Sequence, residues 1–490
     1  MAAGAAVLGG VGIVVLGLVT RAPGQLGPLL FLGATGLLAV VLGLRHPVLA
    51  CGYLLVTTFF RLAIPSGTLP VDPFVLAFGG VLAATWLWAR SPGRRLDVVA
   101  LDPIACVMGL YVAWNLVSML VPHAYPAGPP QDPEPFPVLR FVLIGTVMPL
   151  TMFLVGRRLF VTERALRMLV WSILAAAAYS AAVSVLQFSA PQVVWPRYIG
   201  EDPSYVERAV GVFDQPVVNG MVLIVGFLVA MLVASHDREK PHLRVLAGLV
   251  AAASAYAVYL THTRVTWLSF ALVVAIGAVV AKGFRAPFVV TGFLMAVAVV
   301  TNWSTFTSAD RAAGGVASPD EVYDRLNSIT TSLWAFAREP VVGWGIGRFP
   351  AVNTFHHQAW APEIPWERGF GIASHLDSLG ILVELGIVGL VLWLAILAMI
   401  YARLVQATRR LPADGMYGRA LGLTALLCLV AQSITGLTVD LRYFDFPNII
   451  VMLLAGAAIG WQREVERTTG SSRATVETRQ PHALPEGIAR

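Results

Sequence analysis

The sequence predicts an all-α fold, a polytopic transmembrane bundle of about 12–14 helices. Three features of it do so. The chain is 57% hydrophobic and 13% charged, with a mean hydropathy of +0.73, whereas a soluble domain is about a quarter charged. Its apolar residues are gathered into runs long enough to cross a bilayer. Most of its 34 lysines and arginines fall in every second polar segment between those runs, the asymmetry that orients helices in a membrane. No polar stretch is both long and regular enough for a soluble domain, so 1–462 reads as one membrane domain. The segment 463–490 is polar and aperiodic and reads as a disordered cytoplasmic tail.

In chain order the runs lie near 3–20, 28–44, 47–63, 71–89, 102–122, 138–155, 165–187, 216–234, 244–261, 265–281, 285–302, 376–401, 418–437 and 446–461. The first lacks a basic n-region and is followed by further spans, which argues against a cleaved signal peptide. The run 47–63 is the least regular, with Arg61 in its end. When odd-numbered helices are taken as outward-going, clusters such as Arg94 and Arg95, Arg157 and Arg158, and Arg409 and Arg410 share one side with both termini. That side is expected to be cytoplasmic, in the inner membrane. A net charge of +6 and a pI near 9.4 therefore report orientation, and no nucleic-acid partner is expected. Only two basic residues are lysine, Lys240 and Lys282, a bias that speaks of genome composition and not of mechanism. The three cysteines, Cys51, Cys106 and Cys428, sit in apolar runs at no metal-like spacing and read as packing residues.

On the opposite side three segments stand out: 188–215, rich in Trp, Tyr, Pro and charge; the tight junction 261–264; and the long loop 303–375. Connections are ordinarily a few residues, so a loop of that length carries a function or a fold of its own. Within it Ser318-Pro319-Asp320-Glu321 marks a helix start, and Val322, Leu326, Ile329, Leu333 and Phe336 recur at helical spacing. The spacing predicts a helix lying on the membrane surface or capping the bundle.

Counting spans places Arg208, Arg264 and His375 at the same face, because each pair is separated by a helical hairpin. Guanidiniums offer fixed, bidentate donors to phosphate oxygens at any working pH. An imidazole accepts a proton near neutrality. The plainer reading of an arginine at a helix end is a lipid-headgroup or snorkelling residue, and of a lone histidine a structural one.

The local sequences add weight. Arg208-Ala209-Val210-Gly211-Val212-Phe213-Asp214-Gln215-Pro216, Thr263-Arg264, the run from Pro340 to Phe349, and His375 with Leu379, Glu384 and Gly386 resemble, in order, four segments of the O-antigen ligase and polymerase superfamily (Wzy/WaaL-like membrane glycosyltransferases). The likeness covers about 200–390. Leu376 stands where the family commonly has Asn, so a hydrogen bond made by that Asn must come from elsewhere, Asp377 or Ser378 being the nearest candidates. Gln215 and Val217 depart from an Asn-Pro-Asn-like turn. The resemblance implies an inverting glycosyl transfer outside the cytoplasmic membrane. The donor would be a polyprenyl-pyrophosphate-linked glycan, the acceptor a lipid, glycan or protein hydroxyl, and no metal or cofactor is needed. Arg208 and Arg264 would hold the pyrophosphate, Arg325 on the loop helix would be a further substrate-binding residue, and His375 would orient or deprotonate the acceptor. Glu384 follows His375 at roughly 13 Å of helical rise; an acid that deep is a substrate-site residue or a structural anchor.

Weaker candidates surround these. His356 and His357, near Glu363 and Glu367, lack a third ligand at usual spacing and point apart in most backbones. Trp195, Tyr198, Trp360 and Trp366 suit sugar stacking or an interfacial belt. Asp440, Arg442 and Asp445 suit a structural pairing. The competing functions are a transporter or flippase, which would place its polar residues at the midplane, and a metal-dependent transferase led by Asp214 or Asp324.

Overall fold

The computed structural model describes residues 26–62, 72–90, 102–194, 199, 205, 207–310, 314–317 and 320–477. Every apolar run from 28 onward lies on a helix: α1 (Leu26–Arg45), α2 (Pro47–Leu62), α3 (Pro73–Ala89), α4 (Pro103–Leu120), α5 (Val138–Leu159), α6 (Glu163–Ser189), α7 (Pro216–Ala234), α8 (Pro241–Leu260), α9 (Arg264–Val280) and α10 (Ala286–Thr301). The long loop supplies α11 (Asp320–Arg338) and α12 (Phe349–Phe355), and α13 (Asp377–Arg410), α14 (Arg419–Gly436) and α15 (Asp445–Glu477) close the bundle. The run 3–20 and the pair Ser318-Pro319 lie outside the described residues. Among the described residues eight helices are long and apolar enough to cross a membrane, five apolar helices are shorter, and no strand occurs.

Many helices start at X-Pro, where the missing N–H is one the first turn leaves unpaired anyway. Asp72 and Asp102 cap α3 and α4 by accepting from the backbone N–H of Phe74 and Ala105. At the centre stand α7 and the apolar length of α15, each almost wholly buried by its neighbours. α5 lies against α15 at Gly156 and Gly456, where an added Cβ would meet the facing backbone of Leu453 and Phe153; small residues let membrane helices approach this closely.

One end of the bundle is tied by ion pairs. Arg157 meets Asp102 at 2.5 Å, Arg167 pairs with Glu239, and Arg410 reaches Glu466 at 3.2 Å. These are the segments that the charge asymmetry assigns to one side. α15 runs on to Glu477, into the stretch expected to lack structure. Its polar extension is held by Arg463 to Asp102 and by the pair Arg467–Glu464 one turn apart. Residues 478–490 lie outside the described ones.

The other end carries the long loop. α11 forms at the expected place but packs with the face opposite to its apolar stripe. Asn327, Ser328, Thr331, Ser332 and Ala335 are buried, while Val322 and Leu333 are 48% and 55% exposed. Periodicity located the stripe correctly; it faces away from the protein, the orientation of an amphipathic helix on an apolar surface.

Candidate active site at the loop end of the bundle

The scaffold begins with a break in α13. Gly386 adopts φ 66° and ψ −169° inside the helix, a region essentially open to glycine alone. The break releases backbone groups that helical bonds would otherwise satisfy. Three released carbonyls are met from elsewhere: Trp344 N–H donates to Val383 O at 2.8 Å, Gly345 N–H to Glu384 O at 2.9 Å, and the Trp114 indole to Leu385 O at 2.9 Å. Ile387 N–H in turn donates to Pro340 O at 2.9 Å. The glycine-rich run 340–349 is therefore a strap across a broken helix. A Cβ on Gly343 would lie 2.6 Å from the backbone of Glu384 and Gly386.

Beneath the strap lies a closed charge network. Glu384 is 0% exposed; one carboxylate oxygen accepts from Phe349 N–H at 3.1 Å and the other from Arg442 at 2.6 Å. Arg442 also donates to both oxygens of Asp440, at 2.9 and 2.6 Å. The sequence placed Asp440 and Arg442 as a pair; it carried no signal that Glu384 completes it. The third acid of that turn, Asp445, is buried at the start of α15.

The residues expected at the site converge around α11. Arg208 donates to Thr263 Oγ1 at 2.8 Å and to Thr261 O at 3.4 Å, which brings it to the residue before Arg264. Its loop is pinned by Asn219, whose amide donates to Ala209 O at 3.0 Å and Ser184 Oγ at 2.8 Å. Gln215 caps α7 in the departed turn, accepting from Val217 N–H at 3.2 Å and donating to Tyr205 OH at 2.9 Å. Arg264 opens α9, which has no side-chain cap because Thr263 Oγ1 donates instead to Thr261 O.

Electrostatics links these groups. Burial holds Arg208 below the usual guanidinium range, and Arg325 lowers it further. Arg325 is itself held down by burial and then by Arg264. His375 is pushed down to about 4, first by burial and then by Arg325, with Asp440 acting in the opposite sense. Arg325, on α11, thus lies within electrostatic reach of all three other groups.

His375 is fixed just ahead of α13. Ser374 closes a local turn there: its Oγ donates to Leu376 O at 2.7 Å and accepts from Leu376 N–H at 3.3 Å. Ser374 is buried, and its carbonyl accepts from Ser328 on α11 at 2.9 Å. Among the described residues the non-glycine residues with positive φ are Glu207, Asp214, His262 and His375. Each adjoins or belongs to the convergent segments, and such backbones cost of order 1–3 kcal/mol each. These positions are all at the loop end of the bundle.

Beside His375 lies a cavity of about 260 Å³ between α11, the end of α12 and the segment 364–372. The adjacent histidines do point apart: His356 Nε2 meets Tyr125 OH at 2.6 Å within an aromatic cluster, and His357 lines the cavity. Asp324, also on its wall, pairs with Arg368 at 2.5 Å. Trp366 and Trp360 are exposed at this end, while Trp195 and Tyr198 lie outside the described residues. Ser374, Asn219 and Asn353 were missed in the sequence, where single small polar residues in apolar surroundings give no pattern to read.

Fold and site together define a polytopic membrane protein with a cationic, histidine-bearing site at one end of its bundle. Residues 248–394 match the family model of the O-antigen ligases (Wzy_C). The match supports the O-antigen ligase and polymerase superfamily, and with it a ligase- or polymerase-like function in general terms. Arg264, Arg325, His375 and Glu384 fall inside the matched span and Arg208 precedes it. No curated protein matches the chain.

Proposed function

We propose that the protein is an inverting, metal-independent glycosyltransferase that moves a polyprenyl-pyrophosphate-linked glycan onto a lipid, glycan or protein hydroxyl at the outer face of the cytoplasmic membrane. The observation that carries this reading is the gathering of Arg208, Arg264 and His375 within electrostatic reach of Arg325, at the end that bears the long loop. The acceptor oxygen attacks the anomeric carbon as the bond from that carbon to the pyrophosphate oxygen breaks. His375 takes the acceptor's proton, and the negative charge growing on the leaving group meets guanidiniums already in place. The uncapped start of α9 adds backbone N–H groups to the same anion site. Glu384 serves this site by holding Arg442 and the strap.

The test is transfer from a synthetic lipid-linked glycan by purified protein in the presence of EDTA. Wild type should turn over, and His375→Gln, which keeps hydrogen bonding but is not a base, should lose about 10²–10⁴-fold in rate. Arg264→Lys should restore little of what Arg264→Ala loses, since an ammonium lacks the bidentate fork. Wild-type turnover in the Gln variant removes His375 as base; loss with EDTA that Mg²⁺ restores moves the chemistry to Asp214 or Asp324. Impermeant maleimide on a cysteine placed at 330 should label intact cells, and labelling only after lysis would reverse the assigned face.

A further inference from the structure

We propose that the cavity beside His375 binds the terminal sugar ring of the acceptor, with Asn353 and His357 as the residues that select it. The inference rests on the transfer reading above and adds to it the site and chemical class of the acceptor.

None of the three arginines lines this cavity, whereas His375 does. An inverting displacement needs that separation, because nucleophile and leaving group sit on opposite sides of the anomeric carbon. At about 260 Å³ the space is below the ~300–1,000 Å³ of pockets for drug-sized ligands, so it suits one ring and not a chain.

The wall states what the ring must offer. Asn353 is 2% exposed; its amide nitrogen donates to Gly369 O at 2.7 Å, but its Oδ1 has no partner. Neither ring nitrogen of His357 has one. Asn327, on the opposite wall, shows what satisfaction looks like: its Oδ1 accepts from Trp360 and Ala361 N–H at 2.7 and 3.0 Å. A buried acceptor left without a donor is costly, and a neutral imidazole offers one donor and one acceptor. Burial pushes the His357 pKa down, which keeps it neutral. Two acceptors and a donor together match vicinal hydroxyls, each of which can both give and accept. The charged residues on the wall, Asp324 and Arg368, are of opposite sign and meet at 2.5 Å, so the cavity suits a neutral polyol better than an anion.

Gly369 supplies a fine probe. A Cβ there would come 3.0 Å from His357 Nδ1 and 3.1 Å from Asn353 Nδ2, so Gly369→Ala places one methyl between the two selecting residues. Binding of methyl glucoside, galactoside, mannoside and N-acetylglucosaminide to the purified protein is followed by saturation-transfer NMR, and binding of polyprenyl pyrophosphate by thermal shift. At least one glycoside should bind wild type, and about tenfold more weakly in Gly369→Ala, Asn353→Leu and His357→Gln. Polyprenyl pyrophosphate should bind those variants as it binds wild type, which also certifies their fold. Arg264→Ala should do the reverse, keeping the sugar and losing the pyrophosphate. No glycoside bound, or one bound equally by all three cavity variants, overturns the inference while pyrophosphate binding leaves the transfer reading standing. Wild type that ignores polyprenyl pyrophosphate brings down the transfer reading and this inference with it.

Discussion

Arg442 and Arg208 stand at the same end of the bundle, and each donates hydrogen bonds into the protein, but to different kinds of atom. Arg442 is buried and gives to three carboxylate oxygens, two of Asp440 and one of Glu384. Arg208 gives to a hydroxyl and a carbonyl, and its charged neighbour is another cation, Arg325. Among the described residues Arg208 meets no carboxylate. The first group pairs its cation with carboxylates and holds the strap to the broken helix; in the second, guanidinium faces guanidinium, with Asp324 acting on Arg325 in the opposite sense. A buried charge that is already paired serves the fold, whereas cations set against one another are, on the proposed reading, there for an anionic ligand.

The largest effect should come from opening the closed network. Glu384→Ala leaves Arg442 buried with one carboxylate partner fewer and removes the acceptor of Phe349 N–H, and loss of one member of a buried pair costs about 3–5 kcal/mol. Thermal unfolding in detergent should show it as a steep fall in midpoint or a failure to accumulate. A Glu384→Ala protein that unfolds like wild type yet transfers nothing would place Glu384 with the substrate instead. Next in size is Arg208→Ala, where transfer should fall about 10²–10³-fold, the usual worth of a preorganised donor to developing charge. Stability should hold or rise, because a repulsion from Arg325 is relieved. If unfolding drops as it does for Glu384→Ala, the contrast between the two groups collapses.

A smaller effect is expected at the strap. Gly386→Ala puts a Cβ against the Val341 carbonyl and a side chain on a glycine-only backbone, a strain of about 1–3 kcal/mol. Donor binding should survive, since the arginines are carried by other segments, while the acceptor KM should rise as the strap and α12 shift. Normal acceptor KM with a normal unfolding midpoint would show that the strap merely spans the break.

The sequence made some of this legible and hid the rest for physical reasons. Membrane helices announce themselves by length and hydropathy, so each run from 28 onward found its helix. The hairpin count put Arg208, Arg264 and His375 together because an even number of crossings returns a chain to the same side. Apolar periodicity on α11 told where the stripe is and not what covers it, and the protein packs against the other face. The broken helix was invisible, since Gly386 read as one match in a motif and nothing local says that the chain turns there. Left-handed backbone at Glu207, Asp214, His262 and His375 gave no sign either: Asp and His are enriched in that conformation but occur far more often outside it, and Glu is not enriched at all.

The finest test of the comparison is a shift in pH dependence. Burial and then Arg325 push His375 from an ordinary 6.5 down to about 4. The native protein therefore binds fewer protons than the unfolded chain between those values, so this group makes stability fall as pH drops from 6.5 to 4 and adds no slope above 6.5. On the proposed reading of His375 as base, it stays neutral at physiological pH, and the acid limb of kcat/KM, which reports the free enzyme, should lie near 4. Arg325→Gln removes a cation beside the ring and should move that limb upward, though short of 6.5, because burial is the larger cause. Arg208→Gln is the control: Arg208 is not among the charges that shift His375, so the limb should stay in place while the rate falls. The comparison sharpens once donor is bound. A pyrophosphate seated among the guanidiniums offsets Arg325 as seen from His375, so the imidazole becomes a stronger base in the complex than in the free enzyme. The acid limb of kcat, which reports the complex, should accordingly lie above that of kcat/KM in wild type, and the gap should narrow in Arg325→Gln. Coincident limbs in the wild-type protein would mean that the anion does not bind where Arg325 can feel it.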